Sequence, residues 1–242
     1  MYEEICFRGA GLMFPFYLGL YRGLERFSLH HNFIRMRGIS SGAVVAASLM
    51  CNIPCLHLLL WFEILIKRWA EHRRFTSFQT LFWNLHLRWY FIGKFFLHFV
   101  PDDVARSCSN RLSIVAFSVT ECKVIENNQW RNTKHLVEWI WAAMALPFTS
   151  PPRWVDGKLL MDAYHLDLIW PFNRSIQERN FHPHCIHTSP IETHHRILLR
   201  PPTGTFCLSE ALILYRRTPS QSMYLFYRMG LQVVLRNWLH LL

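Results

Sequence analysis

Acidic residues are in short supply in this chain. Sixteen Asp and Glu stand against 26 Lys and Arg over 242 residues, a formal net charge of +10. That balance suits a partner carrying negative charge, an anionic membrane surface or nucleic acid. The basic residues are interleaved with an apolar pattern and match no nucleic-acid module, which favours the membrane and argues against nucleic acid. Cysteine pairs at metal or redox spacing are absent. The seven cysteines are scattered, odd in number and without a Cys-x-x-Cys step, so a zinc ribbon or a disulfide framework is not expected, and they read as reduced intracellular thiols. A secretory leader is not expected either, because Met1-Tyr2-Glu3-Glu4 is acidic where a leader is basic. An unbroken membrane span is also missing. Residues 43–66 are apolar for long enough, but Asn52-Ile53-Pro54 cuts them, and a proline costs a helix interior about 3 kcal/mol. Residues 82–100 carry Arg88 and Lys94 well inside, with His86 and His98, and each central charge costs roughly 2.5–3.5 kcal/mol on insertion. That segment reads as a buried helix pair or as a stretch lying on a membrane surface. There is no internal repeat and no low-complexity tract.

What the chain does have is hydrophobic mass. Half of it, 51%, is hydrophobic and 15% is aromatic, enough for one substantial core and against disorder. Strand and helix patterns alternate. Ile5-Cys6-Phe7 is a short strand and Arg8-Gly9-Ala10-Gly11 a glycine-rich loop. Pro15 is suited to the first turn of a helix ending near Phe27. Phe33 to Met36 is a second strand. Helices then run to about Cys51 and from Cys55 to about Ala70. Residues 111–120 are a β-rich run, and Val137 to Leu146 is helical up to Pro147. Arg153-Trp154-Val155, Asp156-Gly157 and Lys158-Leu159-Leu160-Met161 spell a hairpin. The pattern predicts an α/β fold with a largely parallel central sheet. Residues 175–205 are polar and irregular, a surface loop. The expected organisation is a catalytic unit over residues 1–175 and an extension over 176–242, packed on the same domain. The amphipathic stretch from Met223 to Leu242 either docks on that domain or rests on a membrane. Among the fourteen histidines, His182-Pro183-His184 and His194-His195 lack the helix pattern or carboxylates of a metal site, so no metal is expected.

The sharpest feature is Gly38-Ile39-Ser40-Ser41-Gly42, set between an apolar strand and the small-residue run Ala43 to Met50. Strand, tight turn and helix with serine at the apex is the pattern of a nucleophile elbow. Gly38 and Gly42 allow close backbone approach, and the helix that follows aims its positive dipole end at an anion beside Ser40.

The elbow has company. Phe7-Arg8-Gly9-Ala10-Gly11-Leu12-Met13 with Gly19, then the elbow, then Ala142-Ala143-Met144-Ala145-Leu146-Pro147-Phe148 and Pro151-Pro152, then Met161-Asp162-Ala163, resemble in order the blocks of patatin-like phospholipases, particularly the branch with the animal triglyceride lipases. The resemblance spans residues 5 to about 171. It implies a patatin-like three-layer α/β/α fold and a lipid acyl hydrolase of the phospholipase or triacylglycerol lipase type. In it Ser40 attacks the ester, Asp162 takes its proton directly, and the amides of Gly9, Ala10 and Gly11 hold the oxyanion. No cofactor is implied. The substrate would be a phospholipid or acylglycerol, met at an anionic membrane surface or lipid droplet inside the cell. Phe14 stands where the family has a third loop glycine, and Asp162-Ala163-Tyr164 where it has Asp-Gly-Gly or Asp-Gly-Ala. Asp156-Gly157 is a competing match to the aspartate dipeptide. Two other readings stay open: an α/β-hydrolase triad using His194 or His195, and a degenerate family member that binds lipid without cleaving it.

Overall fold

The computed structural model describes residues 3–29, 33–71, 92–146, 150–163, 185–188, 197–199 and 219–241. The chain opens with β1 (Glu4–Phe7), three of whose residues are buried. A single 3-10 turn (Gly11–Met13) leads into α1 (Phe14–Arg26), with Pro15 in the first turn, where its missing N–H costs nothing. β2 (Arg35–Ile39) starts later than the Phe33–Met36 run suggests. The amides of Ile34 and Arg35 both donate to the Glu3 carbonyl, at 2.9 and 3.0 Å, which makes a bend there before the ladder begins. Through Ser40 the strand passes straight into α2 (Ser41–Met50), every residue of which is buried. Asn52, at φ 54°, and Pro54 end that run, and α3 (Cys55–Glu71) begins afresh. Of the long aromatic segment 82–100, residues 92–99 form α4, and the rest lies outside the described residues.

Beyond it come α5 (Asp102–Ser107), β3 (Leu112–Ser118), β4 (Lys123–Asn127) and α6 (Thr133–Ala143). α6 starts four residues before the expected Val137, because the Asn132 side chain caps it by accepting from the His135 amide at 2.8 Å. The hairpin β5 (Arg153–Val155) and β6 (Lys158–Met161) forms as expected around Asp156-Gly157, both at positive φ. Two pieces of the stretch expected as irregular loop are instead strands, β7 (Cys185–Thr188) and β8 (Ile197–Leu199). The final helix is α7 (Pro219–Leu241).

The strands make one eight-stranded sheet in the order β5-β6-β3-β2-β1-β7-β8, with β4 also paired to β3. From β3 through β2, β1 and β7 to β8 the pairing is parallel; β4, β5 and β6 are antiparallel. This is a mixed α/β fold with a mostly parallel central sheet. α2 lies against β1, β2 and β3 and touches α1 and α6, which explains why it is apolar all round.

α7 packs on α1 at backbone contact. A Cβ on Gly19 would collide with the Tyr227 carbonyl, and one on Gly230 with the Phe16 carbonyl. Met223, Phe226, Met229, Val233 and Val234 of this helix are buried, while Tyr224, Leu225 and Leu235 are exposed. As far as Val234, the buried side of the C-terminal helix therefore packs on its own domain, against α1, α3 and β8. No helix among the described residues is long and apolar enough to cross a membrane.

Candidate active site

The sheet register brings two distant residues together. β4 pairs with residues 114–118 of β3 along one edge. On the opposite edge β2 pairs up to Ile39↔Val115, and β6 pairs at Phe117↔Met161. β2 and β6 thus share one edge of β3 and stop short of each other, with only the level of Ala116 between their ends. Continuing each register by one residue puts Ser40, after β2, and Asp162, after β6, at that same level. The side chains meet there. The Ser40 hydroxyl donates to Asp162 Oδ2 at 2.5 Å, across a sequence separation of 122. Both residues are buried, Ser40 at 6% exposure and Asp162 at 0%. The Asp162 amide donates to the Ala145 carbonyl at 3.0 Å, so the segment after α6 fixes the aspartate from below.

Ser40 sits at φ 55° and ψ −132°. A serine held in that left-handed region costs of order 1–3 kcal/mol and persists only where its surroundings fix it. Two contacts do the fixing. A Cβ on Gly38 would lie 2.8 Å from the Ala43 nitrogen and the Gly42 oxygen, so the turn closes tightly on itself. A Cβ on Gly42 would lie 2.7 Å from the Arg8 carbonyl oxygen and closer still to that of Phe7, so α2 is seated hard against the end of β1. Ser40 occupies the N-cap position of α2 without making a side-chain cap, which leaves its hydroxyl to Asp162.

The glycine-rich loop is tied to the elbow by residues that sequence reading did not single out. The Ala10 amide donates to Ser41 Oγ at 3.0 Å. Of the three loop amides expected to face an oxyanion, Ala10's is therefore turned to the helix. Gly11 takes φ 50° and lies exposed at the start of the 3-10 turn. The Tyr17 hydroxyl, deep in α1, lies 2.7 Å from the Arg8 carbonyl and 2.9 Å from that of Thr188. The Arg8 amide donates to the same Thr188 carbonyl at 3.2 Å. Tyr17 and β7 thus pin the start of the loop. No spacing rule would have found Thr188, because β7 lies in a stretch that reads as loop.

A model of the patatin-like phospholipase family matches residues 5–167. The chain belongs to the patatin-like phospholipase family. The match runs from β1 past Asp162 and takes in the loop, the elbow and the hairpin. Patatin-like proteins are generally lipid acyl hydrolases, which is the activity class of this chain at the level of its family. Among solved structures, the crystal structure of VipD from Legionella pneumophila is similar at 10% identity, with a TM-score of 0.47, over 94% of this chain and 67% of that one. No curated protein matches the chain.

The patatin framework gives the departures a structural reading. Phe14, in place of a third loop glycine, turns its ring onto Phe62 of α3 at a centroid distance of 5.1 Å and is part of the core. Ala163 is buried and does not take a positive φ, so the backbone after Asp162 has no need of glycine. The competing aspartate serves another purpose. Asp156 accepts from His135 Nε2 and Trp139 Nε1, both at 2.8 Å, and pairs with Arg131, so it anchors the hairpin to α6. Its carboxyl is held below the ordinary range: partial burial raises it, and the hydrogen bonds from His135 and Trp139, with the charges around them, overcome that. His182, His184, His194 and His195 lie outside the described residues. Among the described residues no group of His, Cys, Asp and Glu is placed to hold a metal ion.

Proposed function

We propose that this patatin-like protein cleaves phospholipid or acylglycerol esters with a Ser40–Asp162 dyad. The 2.5 Å hydrogen bond between the two side chains, at the only level of the shared β3 edge where both strands have ended, carries this reading. A hydroxyl-to-carboxylate bond that short is in the charge-assisted range. Ser40 Oγ attacks the ester carbonyl carbon as its proton passes to Asp162. The carbonyl oxygen becomes an oxyanion, held by the loop amides of Gly9 and Gly11 and by the positive end of α2. Collapse breaks the ester C–O bond, and the leaving alcohol takes the proton from Asp162. Water, deprotonated by the same carboxylate, then attacks the acyl carbon; the bond to Ser40 Oγ breaks, Oγ takes the proton back from Asp162, and the fatty acid leaves. The Ala10 amide serves in this scheme as a clamp between loop and elbow.

The substrate is met at an anionic lipid surface, with the protein held there peripherally inside the cell. The net charge of +10 supports this. So does an exposed apolar row on α3, Leu56, Leu60 and Ile64, with Leu97 and Phe99 of α4 exposed as well. The test is hydrolysis of mixed phosphatidylcholine, phosphatidylserine and triolein particles, read by mass-spectrometric lipid profiling. Ser40→Ala and Asp162→Asn are each expected to abolish product and fluorophosphonate labelling while far-UV circular dichroism stays unchanged. Turnover that survives either substitution would refute the dyad. A folded wild type that neither labels nor cleaves would point to the lipid-binding reading instead.

A further inference from the structure

The helix that carries Ser40 ends at a second piece of chemistry. Cys51 caps the C-terminus of α2 and Cys108 that of α5. Their sulfurs lie 3.6 Å apart although the two cysteines are 57 positions apart in sequence. Cys108 Sγ also lies 3.7 Å from the Met50 carbonyl, so its proton has an acceptor of its own and Cys51 is left to donate to Cys108. Neighbouring Asn52, Asn110 and Arg111 are exposed, so both thiols sit just under a surface where two turns meet. We infer that Cys51 and Cys108 are a dithiol that closes reversibly to a disulfide, a modification site at the opposite end of α2 from Ser40.

Two buried cysteines in contact are often only filler, and what separates this pair is its placement: the sulfurs touch at 3.6 Å where two helix ends meet beside exposed residues. The hydrogen bond from Cys51 holds the Cys108 thiol below its ordinary value against the effect of burial, and Arg111 adds to it. The same bond, with burial, pushes Cys51 up. Cys6 and Cys55, also buried, are pushed by desolvation up to about 12 and have no sulfur partner among the described residues. With Cys51 donating to Cys108 Sγ, Cys108 is assigned as the attacking thiol and Cys51 as the one that resolves it.

The oxidant is a hydroperoxide. The Cys108 thiolate attacks its terminal oxygen. The O–O bond breaks, the departing alkoxide takes a proton and leaves as an alcohol, and Cys108 becomes a sulfenic acid. The Cys51 sulfur then attacks the Cys108 sulfur. The S–O bond breaks, and the hydroxyl leaves as water with the Cys51 proton. Two thiols lose two electrons, and the hydroperoxide gains them.

The inference does not depend on the Ser40–Asp162 reading. The test uses wild-type protein treated with hydrogen peroxide, alkylated with N-ethylmaleimide in denaturant, digested and mapped by mass spectrometry. A Cys51–Cys108 linked peptide is expected within one monomer, formed about tenfold or more faster than any change at Cys6 or Cys55, and converted back to two thiols by dithiothreitol. Exposed Cys122 reports that the oxidant acted. Oxidation of Cys122 with Cys51 and Cys108 both still alkylated would overturn the inference. So would indiscriminate pairing with Cys6 or Cys55. In folded Cys51→Ser protein the linkage disappears, and Cys108 is expected to accumulate as a sulfenic acid trapped by dimedone; its absence there would remove Cys108 as the attacking thiol.

Discussion

Replacing Gly42 with alanine tests how the elbow is held. The added methyl would stand 2.7 Å from the Arg8 oxygen, 2.5 Å from the Phe7 carbonyl carbon and nearer still to the Phe7 oxygen. All three obstacles are backbone at the end of β1, where no side chain can swing away. Restoring ordinary contact, about 3.5 Å between carbons, requires the start of α2 to retreat by roughly 1 Å. Overpacking of this kind costs about 1–3 kcal/mol. On a domain of this size that lowers Tm by roughly 2–12 °C, at about 2–4 °C per kcal/mol. The larger consequence is catalytic, because a displacement of about 1 Å in a reacting group can cost about 10²-fold in rate. Gly157→Ala supplies the matched control. It adds the same methyl at a position where nothing lies within 4 Å, and its only penalty is backbone strain at φ 73°, about 1–2 kcal/mol. Thermal unfolding and initial rates on a soluble short-chain ester, measured side by side, separate the two. Gly42→Ala is expected to lose about a hundredfold in rate with a modest fall in Tm, and Gly157→Ala to lose stability alone. Full activity in Gly42→Ala would refute the claim that the close approach of α2 to β1 sets the position of Ser40.

Asp156→Asn separates the two aspartates. It should lower stability by about 0.5–1.5 kcal/mol through weakened, partly buried hydrogen bonds while hydrolysis by the folded protein is retained, whereas Asp162→Asn is expected to abolish hydrolysis in a folded protein. The folded carboxyl of Asp156 sits below its ordinary value, so its ionised form stabilises the protein above the unfolded value, near pH 3.9, and that stability is lost as pH falls through the lower folded value. Asn at 156 is therefore expected to flatten the fall of Tm with pH at and below about pH 4, and an unchanged acid limb would count against it. Tyr17→Phe leaves the Arg8 and Thr188 carbonyls without their buried hydroxyl partner. It should cost about 1–3 kcal/mol of stability, read by thermal unfolding, and reduce kcat more than KM by loosening the glycine-rich loop; a pure KM effect would show that the loop does not depend on that clamp.

Local signals made much of this fold readable in the chain itself. Pro15, Pro54 and Asp156-Gly157 act on their own neighbours, and each marks a boundary the structure keeps. The elbow is equally local, since strand, Ser40 and small-residue helix are consecutive. β4 and α5 escaped notice because their signals are short and polar: Lys123 to Asn127 owes its strand state to pairing with β3, and Asp102 and Asp103 look like loop until they are seen in the first turn of α5. β7 was hidden for the same reason. Cys185 to Thr188 lies in a polar stretch and becomes a strand because β1 offers it a parallel edge. Tyr17 looks like any aromatic on the apolar side of a helix, and only the folded chain shows its hydroxyl at two carbonyls.

The placement of Asp162 has a different origin from that of Ser40. Ser40 is positioned by its immediate neighbours, Gly38 and Gly42, and a local motif announces it. Asp162 is positioned by a strand that borrows two residues of an edge already partly occupied by β2, pairing at Phe117 and Ser118, with the Val119 amide donating to the Leu159 carbonyl just beyond them at 2.7 Å. No single residue beside 162 encodes that; the length of the hairpin sets it, with four residues between Asp156 and Met161. A strand one residue longer would carry the carboxyl past the level of Ala116 and turn it to the other side of the sheet, since side chains alternate at every step. Asp156, near in sequence and literal in its match to the family dipeptide, fails for that geometric reason. It lies at the turn, at the far end of the two-strand ribbon from the level where β2 ends, and its hydrogen bonds go to His135 and Trp139 of α6, which anchors the turn and leaves the carboxyl far from Ser40.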